Sequence, residues 1–390
     1  MFIGKSILAS FMLSTAMMVS SPEGTEISDS RINATVLVVS EKPEEGAVSH
    51  TQEASVTEPA KAGETESSQP KEQEPESVQT EEDNRDMDIE EAETQEEQET
   101  SQDQEDVKED SGDLSVSPMT GTAMTMLSSQ GGAQMLSSVI RSNNGSLVIV
   151  DGGWEADGGY LVEHIKANGG VVDAWLITHP HSDHVGALYD ILKNRSDEIE
   201  INRIYYSFAP VSWYEEVSPK DVNMVRNLVE ELDKLPEDKL RGDIGKDYKI
   251  MVDNLRITAM NDRYQLETDP VNNSSITYMV DTGKKKVLFL GDMSYDGGAR
   301  LARESGDSLK ADIVQMAHHG QNGVGKSVYQ SIAPKICLWP TPQWLWDNDN
   351  GGGYNSGSWR TIETRSWMEQ TLKVDKSYCI KDGDIVLQLD

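Results

Sequence analysis

The chain has 390 residues, with 34 Lys+Arg against 68 Asp+Glu, a formal net charge of -34. Residues 21–120 hold 30 Asp+Glu and 6 Lys+Arg, a net of -24, while residues 121–390 hold 38 and 27, a net of -11. The acidic quarter lacks Phe, Tyr and Trp and cannot bury enough apolar surface to offset its chain entropy, which excludes a chain folded uniformly along its length. About 270 residues remain, enough for one large domain or two small ones, and their acidity argues against a protein built to grip nucleic acid.

Met1–Ser21 holds one basic residue, Lys5, then the apolar run Ile7–Val19 and the small residues Ser20 and Ser21. This reads as a secretory signal peptide, because the run is short of the roughly 20 residues that span a bilayer. An uncleaved N-terminal anchor is the alternative, and would be the one route to a membrane. No Cys near residue 21 can carry a lipid, and Asp384–Asp390 is not a hydrophobic sorting tail. A secreted or cell-surface protein is expected. Residues 22–117 read as a disordered acidic linker, with Val36–Val39 a lone apolar patch.

Residues 118–390 read as the folded domain. Strand-like segments 134–140 and 146–150 flank the turn-former Asn143-Asn-Gly145. A helix over 159–168 ends at Gly169-Gly170, and a buried strand, 171–177, leads into His179. A helix near 187–193 and a strand at 199–206 follow, then a partly helical stretch, 220–235. Strands are expected at 254–260, 275–281, 286–290, 312–316 and 336–339, with helices at 298–304, 326–332 and 361–372, and a terminal pair of strands about Lys381-Asp-Gly383. Alternating helices and strands joined partly by hairpins imply a layered α/β domain with mixed sheets. Cys337 and Cys379 lie 42 positions apart, and either a disulfide or two buried thiols is compatible with the pattern.

Of 7 histidines, three fall within six positions, in Thr178-His179-Pro-His181-Ser-Asp183-His184. An extended chain entering a loop places His179 and His181 on one side, and Asp183 and His184 follow around the turn. Imidazole with carboxylate suits zinc, with manganese or iron as alternatives. The segment resembles the H-x-H-x-D-H signature of the metallo-β-lactamase superfamily of binuclear metallohydrolases, and other elements follow in order. Val148-Ile-Val-Asp151-Gly-Gly153 is similar to the early strand whose Asp braces the metal loop. Leu288-Phe-Leu-Gly291-Asp292 resembles the strand-terminal Asp that bridges two metals. Ala317-His318-His319-Gly320 resembles the late histidine motif, which implies that one of His318 and His319 is a ligand; His318 is favoured because it comes first off its strand, and the other would hydrogen-bond nearby or meet substrate.

The resemblance covers roughly residues 134–390 and implies an αββα sandwich holding two divalent ions at one edge of its sheets. One feature departs from it: no His occurs between His184 and His318, where the chain reads Val271-Asn272-Asn273-Ser274-Ser275. That pattern is similar to a subgroup containing the soluble domain of competence DNA-uptake channels and the bacterial surface phosphorylcholine esterases, and Asn273, water or substrate would complete the first ion.

The resemblance implies direct attack by a metal-bound hydroxide. Asp183 would orient an ion and shuttle a proton, and Tyr295 or Tyr354 would meet the developing oxyanion. Four of 8 Trp lie between Trp339 and Trp359 beside a glycine-rich loop. They form either a C-terminal subcore or an aromatic wall, with Trp344 and Trp346, for a sugar or quaternary ammonium. Lys284–Lys286 read as solvated. The expected substrate is an anionic phosphodiester, cell-wall or cell-surface phosphorylcholine-type esters ahead of nucleic acid. A carboxylic ester, lactone or lactam hydrolase and a non-catalytic surface binding module are the alternatives.

Overall fold

The computed structural model describes residues 116–390; the expected signal peptide and all but the last two residues of the expected linker lie outside the described residues. The strands there are β1 (Ala123–Met126), β2 (Ser137–Arg141), β3 (Leu147–Asp151), β4 (Val171–Leu176), β5 (Glu200–Ile201), β6 (Ile204–Tyr205), β7 (Leu240–Arg241), β8 (Lys249–Val252), β9 (Leu255–Ala259), β10 (Tyr278–Asp281), β11 (Lys286–Phe289), β12 (Ile313–Gln315), β13 (Ile336–Trp339), β14 (Lys376–Cys379) and β15 (Ile385–Gln388). The principal helices are α1 (Gly158–Ala167), α2 (Ser182–Asn194), α3 (Val211–Val217), α4 (Val222–Leu232), α5 (Pro270–Asn273), α6 (Tyr295–Ser305), α7 (Lys326–Ile332), α8 (Gln343–Trp346) and α9 (Thr361–Ser366).

Two mixed sheets result. One runs β15-β1-β2-β3-β4-β6-β7, with β5 also on β4, and the other β14-β13-β12-β11-β10-β9-β8. The pleat explains why both are buried twice over: along β3, Val148 and Val150 face the layer between the sheets, while Leu147 and Ile149 face the helices. The layer between the sheets joins Val148 and Leu176 to Ile257, Tyr278, Phe289 and Leu338. Outside the first sheet, Trp175 packs with Leu161, Leu188 and Leu228 of α1, α2 and α4; outside the second, Leu288 and Val314 pack with Leu301, Val328 and Ile332 of α6 and α7. The order is helix, sheet, sheet, helix, a mixed α/β architecture consistent with the expected sandwich. Among the described residues no helix is long and apolar enough to cross a membrane.

Four local details go beyond or depart from the sequence expectations. Helix α2 starts at Ser182, not near Ala187, because polar motif residues that hide the apolar period occupy its first turn. The stretch 220–235 contains the strongly amphipathic α4, and α3 precedes it. Strand β1 was not legible in four residues. The two terminal strands are not partners: β14 pairs with β13, whereas β15 crosses to the other sheet and pairs with β1. Cys337 and Cys379 are free, buried thiols.

Asp384 locks that last crossing. Its Oδ1 accepts the Ser128 N–H (2.9 Å) and hydroxyl (2.8 Å), and its Oδ2 accepts the Tyr160 hydroxyl at 2.8 Å. Burial would raise this carboxyl, but His164 and these donors lower it to about 2. A carboxyl lowered on folding stabilises the fold above its unfolded value and loses that contribution as pH falls through about 2. The stability lost in Asp384→Asn, measured by urea unfolding, is therefore expected to be largest above pH 4 and to shrink toward pH 2. Phe289→Ala, which empties a fully buried site between the sheets, is expected to cost about 3–5 kcal/mol in the same assay at neutral pH.

Candidate metal centre

Parallel strand ends bring the chemistry together. Asp151 closes β3, His179 follows β4, Asp292 follows β11 and His318 follows β12. The sheets are stitched at this edge by the Tyr278 hydroxyl donating to the Ile177 carbonyl (2.8 Å) and by Ile276 N–H donating to the Thr178 carbonyl (2.9 Å). Gln315, fully buried, fills the gap where β11 and β12 part. Its Oε1 accepts the N–H groups of Leu290 and Gly291, and its Nε2 donates to the carbonyls of Gly291 and Met316. This splice is not legible from sequence, because a single Gln in an apolar strand carries no spacing signal.

Around this edge the imidazoles have a common arrangement. His184 gives Nδ1–H to Asp151 Oδ2 (2.8 Å), leaving Nε2 3.1 Å from Asp292 Oδ2 and 3.9 Å from Asp183 Oδ1. His319 gives Nδ1–H to the Pro340 carbonyl (3.1 Å), leaving Nε2 2.9 Å from Asp183 Oδ2 and 3.0 Å from Asp292 Oδ2. The Thr178 hydroxyl donates to Asp151 Oδ2, so His179 Nδ1 at 3.1 Å is the donor to it and His179 Nε2 is free to face inward. That Nε2 meets Nδ1 of His181 at 3.0 Å, while His181 Nε2 faces Asp221 at 3.4 Å. His184, His319 and His179 thus each have one nitrogen hydrogen-bonded to a neighbour and one aimed at the cluster, the arrangement that sets the tautomer of a metal-ligating histidine, while the outer nitrogen of His181 has Asp221 facing it.

Asp151 makes contacts of the kind the resemblance implied for it. Its Oδ1 also accepts the Thr178 N–H at 2.8 Å, so one carboxylate orients both His184 and the strand end that carries His179.

Of the adjacent histidines, His319, not the expected His318, approaches Asp183 and Asp292. Both have left-handed backbones (φ 48 and 50), a sparsely populated conformation for non-glycine residues that turns the chain back at once. His318 instead lies beside Asn272, whose Nδ2 is 3.5 Å from its Nε2. The two asparagines also divide differently from expectation. Asn273 Oδ1 accepts the N–H groups of Ser294 and Gly297 and its Nδ2 donates to Thr268, so its amide is spent on the start of α6. Asn272 is the amide beside His318.

The remaining candidates lie farther out. Tyr295 opens α6 and is 60% exposed; Tyr354 sits on the glycine-rich loop, 67% exposed. Among the described residues neither hydroxyl hydrogen-bonds to the cluster. Trp344 packs edge-on against Trp359, and Trp346 against Trp339, with Arg365 and Lys381 over the Trp346 ring, 4.2 and 5.5 Å from its centre. Trp346 therefore belongs to a subcore already supplied with cations, not to an aromatic wall open to a ligand. Asp221 and Asp269 were missed by sequence reasoning, because isolated carboxylates in polar stretches look like solvated charge.

Burial opposes charge on His184, yet Asp292, Asp183 and Asp151 hold it well above the ordinary histidine value; His319 is pushed up to about 9 by Asp292 and Asp183 against the same burial. Burial would likewise raise Asp292, but His184 and His319 hold it well below the usual carboxylate range. His179 is lowered, first by burial and then by His184 and His181. The carboxylates thus favour charge on His184 and His319, and cations entering the cluster would compete with protons for these imidazoles.

The residues fit such cations. Ligand atoms of Asp183, His184, Asp292 and His319 lie within 4.8 Å of one another. Although the contacts are short, Nε2 of His184, Nε2 of His319 and Asp292 Oδ1 make no hydrogen bond of good geometry. Buried polar atoms are rarely left so; these converge on shared points instead of on each other.

The metallo-beta-lactamase superfamily profile matches residues 131–331, a span that holds the clustered histidines and aspartates. The chain belongs to the metallo-β-lactamase superfamily. Members of this superfamily are generally hydrolytic, metal-dependent enzymes, and the cluster is its candidate dinuclear site. Similar solved structures include the metallo-β-lactamase fold protein YhfI from Bacillus subtilis (12% identity, TM-score 0.41), with 68% of this chain and 99% of that one covered. The diiron β-hydroxylase CmlA from Streptomyces venezuelae is 11% identical with a TM-score of 0.42, covering 70% of this chain and 55% of that one. A diphosphatase of the PhnP family is 12% identical with a TM-score of 0.37, covering 70% and 99%. No curated protein matches the chain.

Gly320 tests how tightly this superfamily site is framed. Its φ is +80, and a Cβ there would fall 2.5 Å from the Trp339 ring. Gly320→Ala is expected to cost about 1–3 kcal/mol by overpacking, read by chemical denaturation.

Proposed function

We propose that the chain is an exported metal-dependent hydrolase of a phosphodiester, with cell-surface phosphorylcholine-type esters as its first substrate class. The convergence of buried imidazole nitrogens and carboxylates at one sheet edge carries the reading. His184, His319, Asp183 and Asp292 would hold one ion; His179 and His181, with Asp292 shared, would hold the other, beside Asn272 and His318. Two divalent ions, zinc or else manganese or iron, would make a water nucleophilic near neutral pH and neutralise charge on phosphoryl oxygens.

The chain's own residues orient and select. Asp151, Thr178 and Pro340 fix the ring planes, so the ligand atoms need no reorganisation when substrate arrives. Asp183, the least buried of the three clustered carboxylates (8% exposed against 1% for Asp292 and 0% for Asp151), would shuttle a proton. Asp221 faces His181, and Asp269 lies near enough to be influenced by its charge. These acids, with the net charge of -11 over residues 121–390, disfavour a nucleic-acid backbone, which is met by Lys and Arg. The exposed Tyr295 is the nearer of the two tyrosines to Asp292 along the chain and the better candidate to meet substrate.

The expected result is turnover of p-nitrophenyl phosphorylcholine, and more slowly of bis(p-nitrophenyl) phosphate, with added zinc or manganese, lost on chelation. Asp292→Ala is expected to lower kcat/KM by about 100-fold or more, beyond the range for a residue that only supports a ligand. Hydrolysis of nitrocefin with both phosphodiesters inert would overturn the substrate assignment in favour of a lactam or carboxylic ester. Inertness toward all three, with metal bound, would favour a binding module.

A further inference from the structure

Three of the four inward-facing imidazoles are anchored by the framework of the sheets. Thr178 and Asp151 sit at the ends of β4 and β3, and Pro340 follows β13 directly. His181 differs. Its outer nitrogen faces Asp221, which belongs to the segment that leaves the first sheet after β6 and returns at β7.

That segment is packed as a unit of its own. Tyr214 of α3 and Val222 and Val225 of α4 form a small cluster with Ala209 and with Val271 of α5, next to Asn272. Arg263 holds its start through the carbonyls of Ser207 and Phe208. Asp221 directly precedes α4, yet its carboxylate does not cap the helix. It accepts the Ser218 hydroxyl and turns toward His181, with its side chain only 13% exposed. A carboxylate at a helix start would ordinarily satisfy the helix N–H groups or face water; this one does neither.

We infer that Asp221 is the positioning residue of His181, so that the affinity of one ion of the pair depends on the seating of the 206–235 segment. The inference rests on the two-ion reading above. An imidazole bound through Nδ1 is oriented by whatever accepts its Nε2–H, and loss of such a partner typically weakens metal affinity by 10–100-fold. His184, held by Asp151, would be unaffected, so the two ions would separate in affinity.

The test is zinc titration of the full chain against a chelating indicator, with cobalt spectra read in parallel. Wild type is expected to bind two ions. Asp221→Ala is expected to weaken one of them by about 10–100-fold while the other is unchanged, and to shift the cobalt absorption of the weakened site. Asp221→Asn, which keeps an amide oxygen able to accept an Nε2–H but loses the charge, is expected to fall between, and it carries the test if the alanine variant does not fold. Glu215→Gln, which breaks only the surface pair with Arg226, is expected to leave both ions alone. Two ions bound by Asp221→Ala as tightly as by wild type, or an equal loss at both, would overturn the inference while sparing the two-ion reading. A wild-type chain that binds no ion would overturn both.

Discussion

A protein interior does not tolerate a collection of unpaired charges, and this fold puts Asp151, Asp183 and Asp292 almost wholly out of water within reach of four imidazoles, three of them buried. Every feature of the site edge can be understood as managing that cost. The acids favour charge on His184 and His319, and a bound cation would offer the same lone pairs a stronger partner. The pairing is poor as hydrogen bonding and good as convergence, which is why the site makes more sense as a metal centre than as a structural ion-pair network.

The fold meets the constraint with strand ends. Continuous apolar runs such as Leu147–Val150 bury both faces of each sheet and fix the strands, so the residues immediately beyond them are delivered at the same edge. Where neighbouring strands must part, Gln315 replaces the missing ladder bonds. Where the chain must turn inward at once, His318 and His319 adopt left-handed backbones, strain that the packing of Gly320 on Trp339 and the bond from His319 to Pro340 hold in place.

Much of the architecture and the core of the site were legible because they are written locally. A histidine motif spanning six positions, an aspartate ending an apolar strand and a Gly-Asp after another are short-range signals. What was not legible depends on direction or distance. Which of His318 and His319 reaches the carboxylates depends on two backbone angles. Whether Asn272 or Asn273 faces the site depends on the phase of a single helical turn. Asp221 comes from a separately packed segment, and the β1–β15 pairing joins opposite ends of the domain. The tryptophans showed composition without orientation, and Trp346 turned out to be occupied by Arg365 and Lys381.

The acidity of the chain lies mainly outside the described residues, and within the domain part of it is the ligand set itself. The most direct test of the account is metal content of the purified full chain, combined with anomalous diffraction at the metal edge. Two ions per chain are predicted, one among Asp183, His184, His319 and Asp292 and one beside His179 and His181. Less than one ion per chain after loading with zinc or manganese, with the fold intact, would contradict it.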